Sequence, residues 1–170
     1  ACPHGVPAAH PQAQEAQSEP ARVGEAMHWL LEHATETASG WHAAREQRIG
    51  HRFGLDGPGA KRAIALARTI LQGAGAWAWS ADEVLEAFNE VEVVHHGQRL
   101  RLDRLVHRRS TDAEPQAWWV LDYKSASHPE RDVPLQEQLQ GYRAAVEQLY
   151  PGQPVRVAFL TGDGALNELV

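Results

Sequence analysis

At 170 residues, 43% of them apolar and 22% charged, the chain has material for one domain with a real core, since roughly 70% of the unfolded surface can be buried at that length. Its single cysteine, Cys2, excludes disulfides and cysteine-held zinc or iron–sulfur sites and fits a reducing cytoplasm, and no segment reads as a membrane span or a signal peptide. A net charge of −6 argues against a free-standing nucleic-acid binder, which usually carries a basic footprint.

Residues 1–20 (ACPHGVPAAHPQAQEAQSEP) are rich in Ala, Pro, Gln and His and lack a hydrophobic period, so they read as a disordered leader or linker ahead of one domain over 21–170. From Arg22, "RVGEAMHWLLEHATETASG" places Val23, Met27, Leu30, Leu31 and Ala34 on one helical face, with Gly40 as a stop. "WHAAREQRIGHRFGL" continues helically to a break at Gly57-Pro58. "AKRAIALARTILQG" is a third amphipathic helix ending at Gly73. Ser80 followed by Glu83 in "SADEVLEAFN" has the spacing of a capping box and predicts a fourth helix. "GLDGPGAKR" imitates a phosphate loop but lacks its Gly-Lys-Ser/Thr ending, so no ATP hydrolysis is expected of this chain.

The period then changes. "EVEVV" and "RLRLDRLVH" alternate, and "AWWVLDYKS" is continuously apolar, which predicts three strands with the last one central. Pro134 opens a helix with Leu135, Leu139, Tyr142, Val146 and Leu149 on one face. "PVRVAFLTG" is a fourth strand and "ALNELV" a short fifth. The fold class expected is α/β of the α+β kind: a mixed sheet with an antiparallel meander, flanked by helices and preceded by an N-terminal helical segment. Two arginine-rich stretches, Arg45 to Arg68 and Arg99 to Arg109, are either solvated faces or a partial nucleic-acid footprint. Trp77, Trp79, Trp118 and Trp119 are expected to pack rather than to stack bases, and the His95-His96 pair to lie on the surface.

The strand bearing Asp103 and the strand bearing Asp122 flank the polar connection "RRSTDAEPQA". A register pairing His107 near Trp118 sets Asp103 opposite Asp122, with Cβ atoms ~5 Å apart. Two carboxylates so close repel, and either one pKa rises or a cation sits between them. Asp122 and Lys124 alternate onto the same face of their strand, so the three side chains form one cluster. A divalent ion on oxygen ligands would relieve it, and Mg²⁺ suits two carboxylates completed by water and phosphate.

"LRLDRLVHR", "WWVLDYKSA" and "LQEQLQGY" in this order resemble the nuclease domain of RecB- and AddA-type helicase–nucleases, within the PD-(D/E)XK nuclease superfamily. Asp103, Asp122, Lys124, Gln138 and Tyr142 fall on that pattern, and "GEAMHWLLE" supplies the leading-helix run with Gly24, His28, Leu31 and Glu32. The resemblance implies a restriction-endonuclease-like core and a metal held by His28, Asp103, Asp122 and the main-chain carbonyl of Tyr123. It makes Lys124 the catalytic amine, which would orient or deprotonate the attacking water, and Gln138 and Tyr142 supports or DNA contacts. Glu90 resembles the acid of the first strand, a slot for which Glu92 competes. Mg²⁺ is the implied cofactor, with Mn²⁺ able to substitute because imidazole suits it, and the missing cysteines point to the branch without an iron–sulfur cluster. The activity implied is phosphodiester hydrolysis, exonucleolytic on single-stranded DNA ends supplied by the helicase region of a parent chain or complex, in double-strand break repair and recombination. The alternative is a catalytically idle module of the same fold that binds DNA or partner subunits.

Overall fold

Ala117–Lys124, buried at every position but the last, forms the third and central strand of a five-stranded mixed sheet. The computed structural model describes residues 17–34, 41 and 43–170. In chain order the elements are α1 (Glu19–Glu32), α2 (Ala43–Phe53), α3 (Gly57–Gln72), β1 (Val84–His95), β2 (Gln98–Arg108), β3 (Ala117–Lys124), α4 (Val133–Leu149), β4 (Val155–Thr161) and β5 (Leu166–Leu169). The strands lie in sequence order. Strands β1, β2 and β3 form an antiparallel meander, β4 runs parallel to β3, and β5 returns antiparallel. A parallel neighbour needs a crossover, and α4 supplies it.

Alternation along β3 sorts the core into two layers. Trp119, Leu121 and Tyr123 face the layer built by α1, α2 and α3, where Met27, Leu30, Ile49, Ala67 and Ile70 are buried. Trp118 and Val120 face the other layer, closed by Leu139, Tyr142 and Val146 of α4. The tryptophans pack as expected. Trp118 is sandwiched between His107 at 4.2 Å and Tyr150 at 4.0 Å, and Trp119 meets the edge of Trp77 at 5.2 Å. Trp79 stacks on Tyr123.

Two helix boundaries differ from expectation. Helix α1 starts at Glu19, inside the stretch expected to be a leader, because Ser18 accepts a hydrogen bond from the Ala21 N–H and Pro20 sits in the first turn, where it suits a helix. Residues 1–16 of that leader, and 35–40 in the expected continuation to Gly40, lie outside the described residues. Gly57-Pro58 opens α3 instead of breaking the chain: Asp56 Oδ1 takes the Gly59 N–H at 2.7 Å. A carboxylate thus fills the helix N-terminus where a phosphate loop would hold its ligand.

The larger correction concerns Ser80–Asn89. No helix forms there. The segment makes a turn at Ser80–Glu83 and then enters β1 at Val84. The capping-box spacing is overruled by pairing, because β1 matches β2 from Val84↔Arg108 to His95↔Gln98. Its far end closes on His96 and Gly97, with φ of 48° and 74°, the two left-handed residues that a tight hairpin requires. Glu83, the would-be capping residue, pairs instead with Arg108 at 2.9 Å.

Candidate active site

The antiparallel ladder between β2 and β3 runs from Arg108↔Ala117 to Arg104↔Leu121, with His107 opposite Trp118. That register, carried one pair further, sets Asp103 against Asp122. Here main-chain pairing stops and a side chain takes over: the Tyr123 N–H donates to Asp103 Oδ2 at 2.8 Å. The end of the sheet therefore carries a carboxylate bound into its backbone.

Helix α1 lays His28 over this end. The buried face of Met27, Leu30 and Leu31 fixes the helix on the sheet, which leaves His28 at its margin, in edge contact with the Tyr123 ring at 5.5 Å. His28 Nδ1 is 3.3 Å from Asp103 Oδ1 and Nε2 is 3.1 Å from the Tyr123 carbonyl oxygen. Both ring nitrogens thus face acceptors, a situation satisfied only by the imidazolium. Burial works to lower its pKa, but the Asp103 hydrogen bond and the charges of Asp103 and Asp122 outweigh it and hold the group above its usual value. For Asp103, burial raises the carboxyl, while the His28 bond and charge and the Tyr123 N–H prevail and keep it below the ordinary range.

Asp122 sits in the opposite balance. Burial, reinforced by the charge of Asp103, pushes its carboxyl up to about 6, with Lys124 pulling the other way. Lys124 Nζ stands 2.8 Å from Asp122 Oδ2, an ion-pair distance, yet the angles leave that buried oxygen without a good hydrogen bond. With no cation counted between them, the opposed carboxylates split: Asp103 is held low and Asp122 is raised.

Glu90 completes the group. One ligand atom from each of His28, Glu90 and Asp103 lies within 4.8 Å of the other two. Glu90 adopts φ of 52° inside a strand, a left-handed conformation that costs a non-glycine residue of order 1 kcal/mol or more and clusters at functional sites. Glu92 is turned away, paired with exposed Arg99 at 3.4 Å. Oxygen donors around one imidazole suit Mg²⁺ or Mn²⁺, and the unsatisfied Asp122 oxygen gives a cation something to bind, so these residues fit a divalent ion.

On α4, Tyr142 is buried, and Gln138 lies one turn before it on the same helical face. The Tyr142 hydroxyl is raised to about 12, first by burial and then by the charges of Asp122 and Asp103. A Cβ added at Gly141 would meet no heavy atom within 4 Å, so packing within the chain does not require that glycine.

Arg104 belongs to neither reading of the arginine stretches. It is 6% exposed, donates to Asn89 Oδ1 at 2.6 Å and to the Ala78 carbonyl at 2.7 Å, and lies 4.7 Å over the Trp79 ring. Asn89 in turn donates to the Glu32 carbonyl at 3.0 Å, so the guanidinium ties the last turn of α1 to the sheet. Arg104→Met should lower stability by about 1–3 kcal/mol in urea denaturation, because it strips the donors from two acceptors. Even spacing among basic residues gives no hint of such burial; only the β1–β2 pairing reveals it.

A family model described as the PD-(D/E)XK nuclease superfamily matches residues 4–166. No curated protein matches the sequence. The mixed sheet between helical layers is the restriction-endonuclease-like core of that superfamily. With a match over nearly the whole sequence, the chain belongs to the PD-(D/E)XK nuclease superfamily.

Proposed function

We propose that this chain is a metal-dependent deoxyribonuclease of the RecB/AddA type, acting as an exonuclease on single strands delivered by an attached helicase during double-strand break repair and recombination. The observation that carries the reading is the conjunction where the β2–β3 ladder ends: Asp103 locked to the Tyr123 N–H, Asp122 buried and raised, and Lys124 at 2.8 Å from it. His28, Asp103, Asp122 and the Tyr123 carbonyl, joined by Glu90, would hold Mg²⁺ or Mn²⁺. When bound, the ion would act as Lewis acid on the phosphodiester and lower the pKa of water.

The chain's own residues do the rest. To serve as a ligand His28 would have to lose one of its two N–H protons, which face Asp103 and the Tyr123 carbonyl, so affinity for the ion should climb with pH. Lys124 would present a compact ammonium beside the scissile phosphate, where it neutralises developing charge and orients the attacking water, or, once it has lost a proton, would take one from that water as the neutral amine. Gln138 and Tyr142 steady the α4 side of the carboxylates. An idle module would have no use for a buried carboxylate held at such electrostatic cost.

The test is cleavage of end-labelled linear single-stranded DNA. Activity should require Mg²⁺ or Mn²⁺, vanish with a chelator, and fall at least about a thousandfold in Asp103→Ala, which loses both a ligand and the brace on Tyr123. Equal cleavage by that variant would end the nuclease assignment, and products of a few nucleotides released from one end would support the exonuclease part.

A further inference from the structure

Beside His28 and Glu90 a cavity of about 450 Å³ opens between α1, α2 and β1, within the range of small-molecule sites. Its far wall is aromatic. Half-buried Trp29 and Phe53 meet at 6.4 Å and 65°, and the exposed guanidinium of Arg52 lies 5.4 Å from the Trp29 ring centroid and 5.7 Å from that of Phe53. Gly24 lines the same space, one helical turn before His28. A Cβ there would meet nothing within 4 Å. Glycine in mid-helix is unfavourable relative to alanine, and no packing within the chain compensates it.

We infer that this wall is a nucleobase subsite: the base of the nucleotide next to the scissile phosphate stacks on Trp29, with the inclined Phe53 ring against its edge, and Gly24 leaves open space on the helix face for the base and its sugar. The inference rests on the nuclease reading and deepens it. Three observations choose the occupant. The cavity is continuous with the candidate metal group, because His28 and Glu90 wall both. Glu25 and Glu32 also line it, and their carboxylates repel a phosphate but accept from the exocyclic amines of bases. Arg52 pairs with no described carboxylate and offers a planar cation to the outer face of a stacked base. The shelf needs a splayed-out base, so its substrate is an unpaired strand and not an intact duplex.

The experiment measures binding of fluorescent single-stranded oligonucleotides by anisotropy, with a chelator present so that nothing is cut. Trp29→Ala should weaken binding about tenfold to a hundredfold, the loss of one base–aromatic stack, and Trp29→Phe should restore most of it. Moving a single abasic site along the strand should find one position at which wild type and Trp29→Ala bind alike. Gly24→Leu guards against misfolding: its side chain enters open space, so the melting temperature should hold or rise by roughly 2–3 °C, while binding falls at least about tenfold. Wild-type affinity in both Trp29→Ala and Gly24→Leu, or a Trp29→Ala defect that no abasic position removes, overturns the subsite. Those results leave metal-dependent cleavage untouched, whereas intact cleavage by Asp103→Ala overturns the nuclease reading whatever the anisotropy shows. An intact duplex bound as tightly as the single strand, with the same dependence on Trp29, also overturns it.

Discussion

Asp122→Asn should abolish cleavage and yet raise the melting temperature of the metal-free protein. The two effects share one cause. Asp122 is buried beside Asp103, and its carboxyl is raised from the ordinary 3.8 to about 6, so holding it ionised at neutral pH costs the fold on the order of 3 kcal/mol. Asparagine copies the protonated state: it is uncharged and can donate to Asp103 as the protonated carboxyl does. About 1–3 kcal/mol of relief is expected, or roughly 3–8 °C in melting temperature. The lost ligand should lower cleavage at least about a thousandfold.

The pH dependence gives the sign independently. A carboxyl whose folded pKa is raised binds its proton in the fold before the unfolded chain does, so its contribution to stability falls as pH rises from about 4 to about 6. Asp103 is shifted the other way; its stabilisation is present above the ordinary carboxylate value and is lost only below it. His28, raised above 6.5, stabilises at lower pH and loses that contribution as pH climbs through its folded value. Between pH 4 and 6 the metal-free wild type should therefore lose stability, and Asp122→Asn should flatten that slope. Chemical denaturation at several pH values reads it directly; an unchanged slope would mean that Asp122 ionises freely. With Mn²⁺ added, wild type should gain melting temperature with ion concentration, and the variant should not.

The sequence made the central part of this site legible because β-pairing is arithmetic. Once Trp118 is placed opposite His107, Asp103 and Asp122 must meet, and the observed register has that pairing. Alternation put Lys124 with Asp122 for the same reason. What stayed illegible depends on contacts remote in the chain. The Ser80–Glu83 spacing satisfies a local helix rule, and only the β2 partner shows that Val84 onward is a strand. Glu90 reads as an acid of the first strand, and its approach to His28 and Asp103 depends on a left-handed backbone that no residue type announces. Nothing in the sequence of α1 sets Trp29 apart, because its partners Arg52 and Phe53 arrive from α2.

Lys124→Ala should lower the rate of cleavage by about a hundredfold to ten thousandfold while leaving the metal site occupied. The Lys124 ammonium is half-buried and bound only to Asp122 among the described residues, so its removal opens no cavity in the core and takes away no ligand. If it acts on the developing charge, kcat should fall with little change in KM, and Mn²⁺ should still raise the melting temperature. Lys124→Arg should not rescue, because a planar fork cannot stand where a compact ammonium fits between a carboxylate and a phosphate. A competing role is open to the same residue: Lys124 opposes the burial that raises Asp122, so without it the carboxyl moves above about 6 and ion binding shifts to higher pH. Calorimetric titration of Mn²⁺ across pH separates the two. A rate loss that persists at a pH where the variant binds Mn²⁺ as tightly as wild type assigns the amine to the reaction, whereas recovery of the rate at that pH assigns it to holding Asp122 ionised.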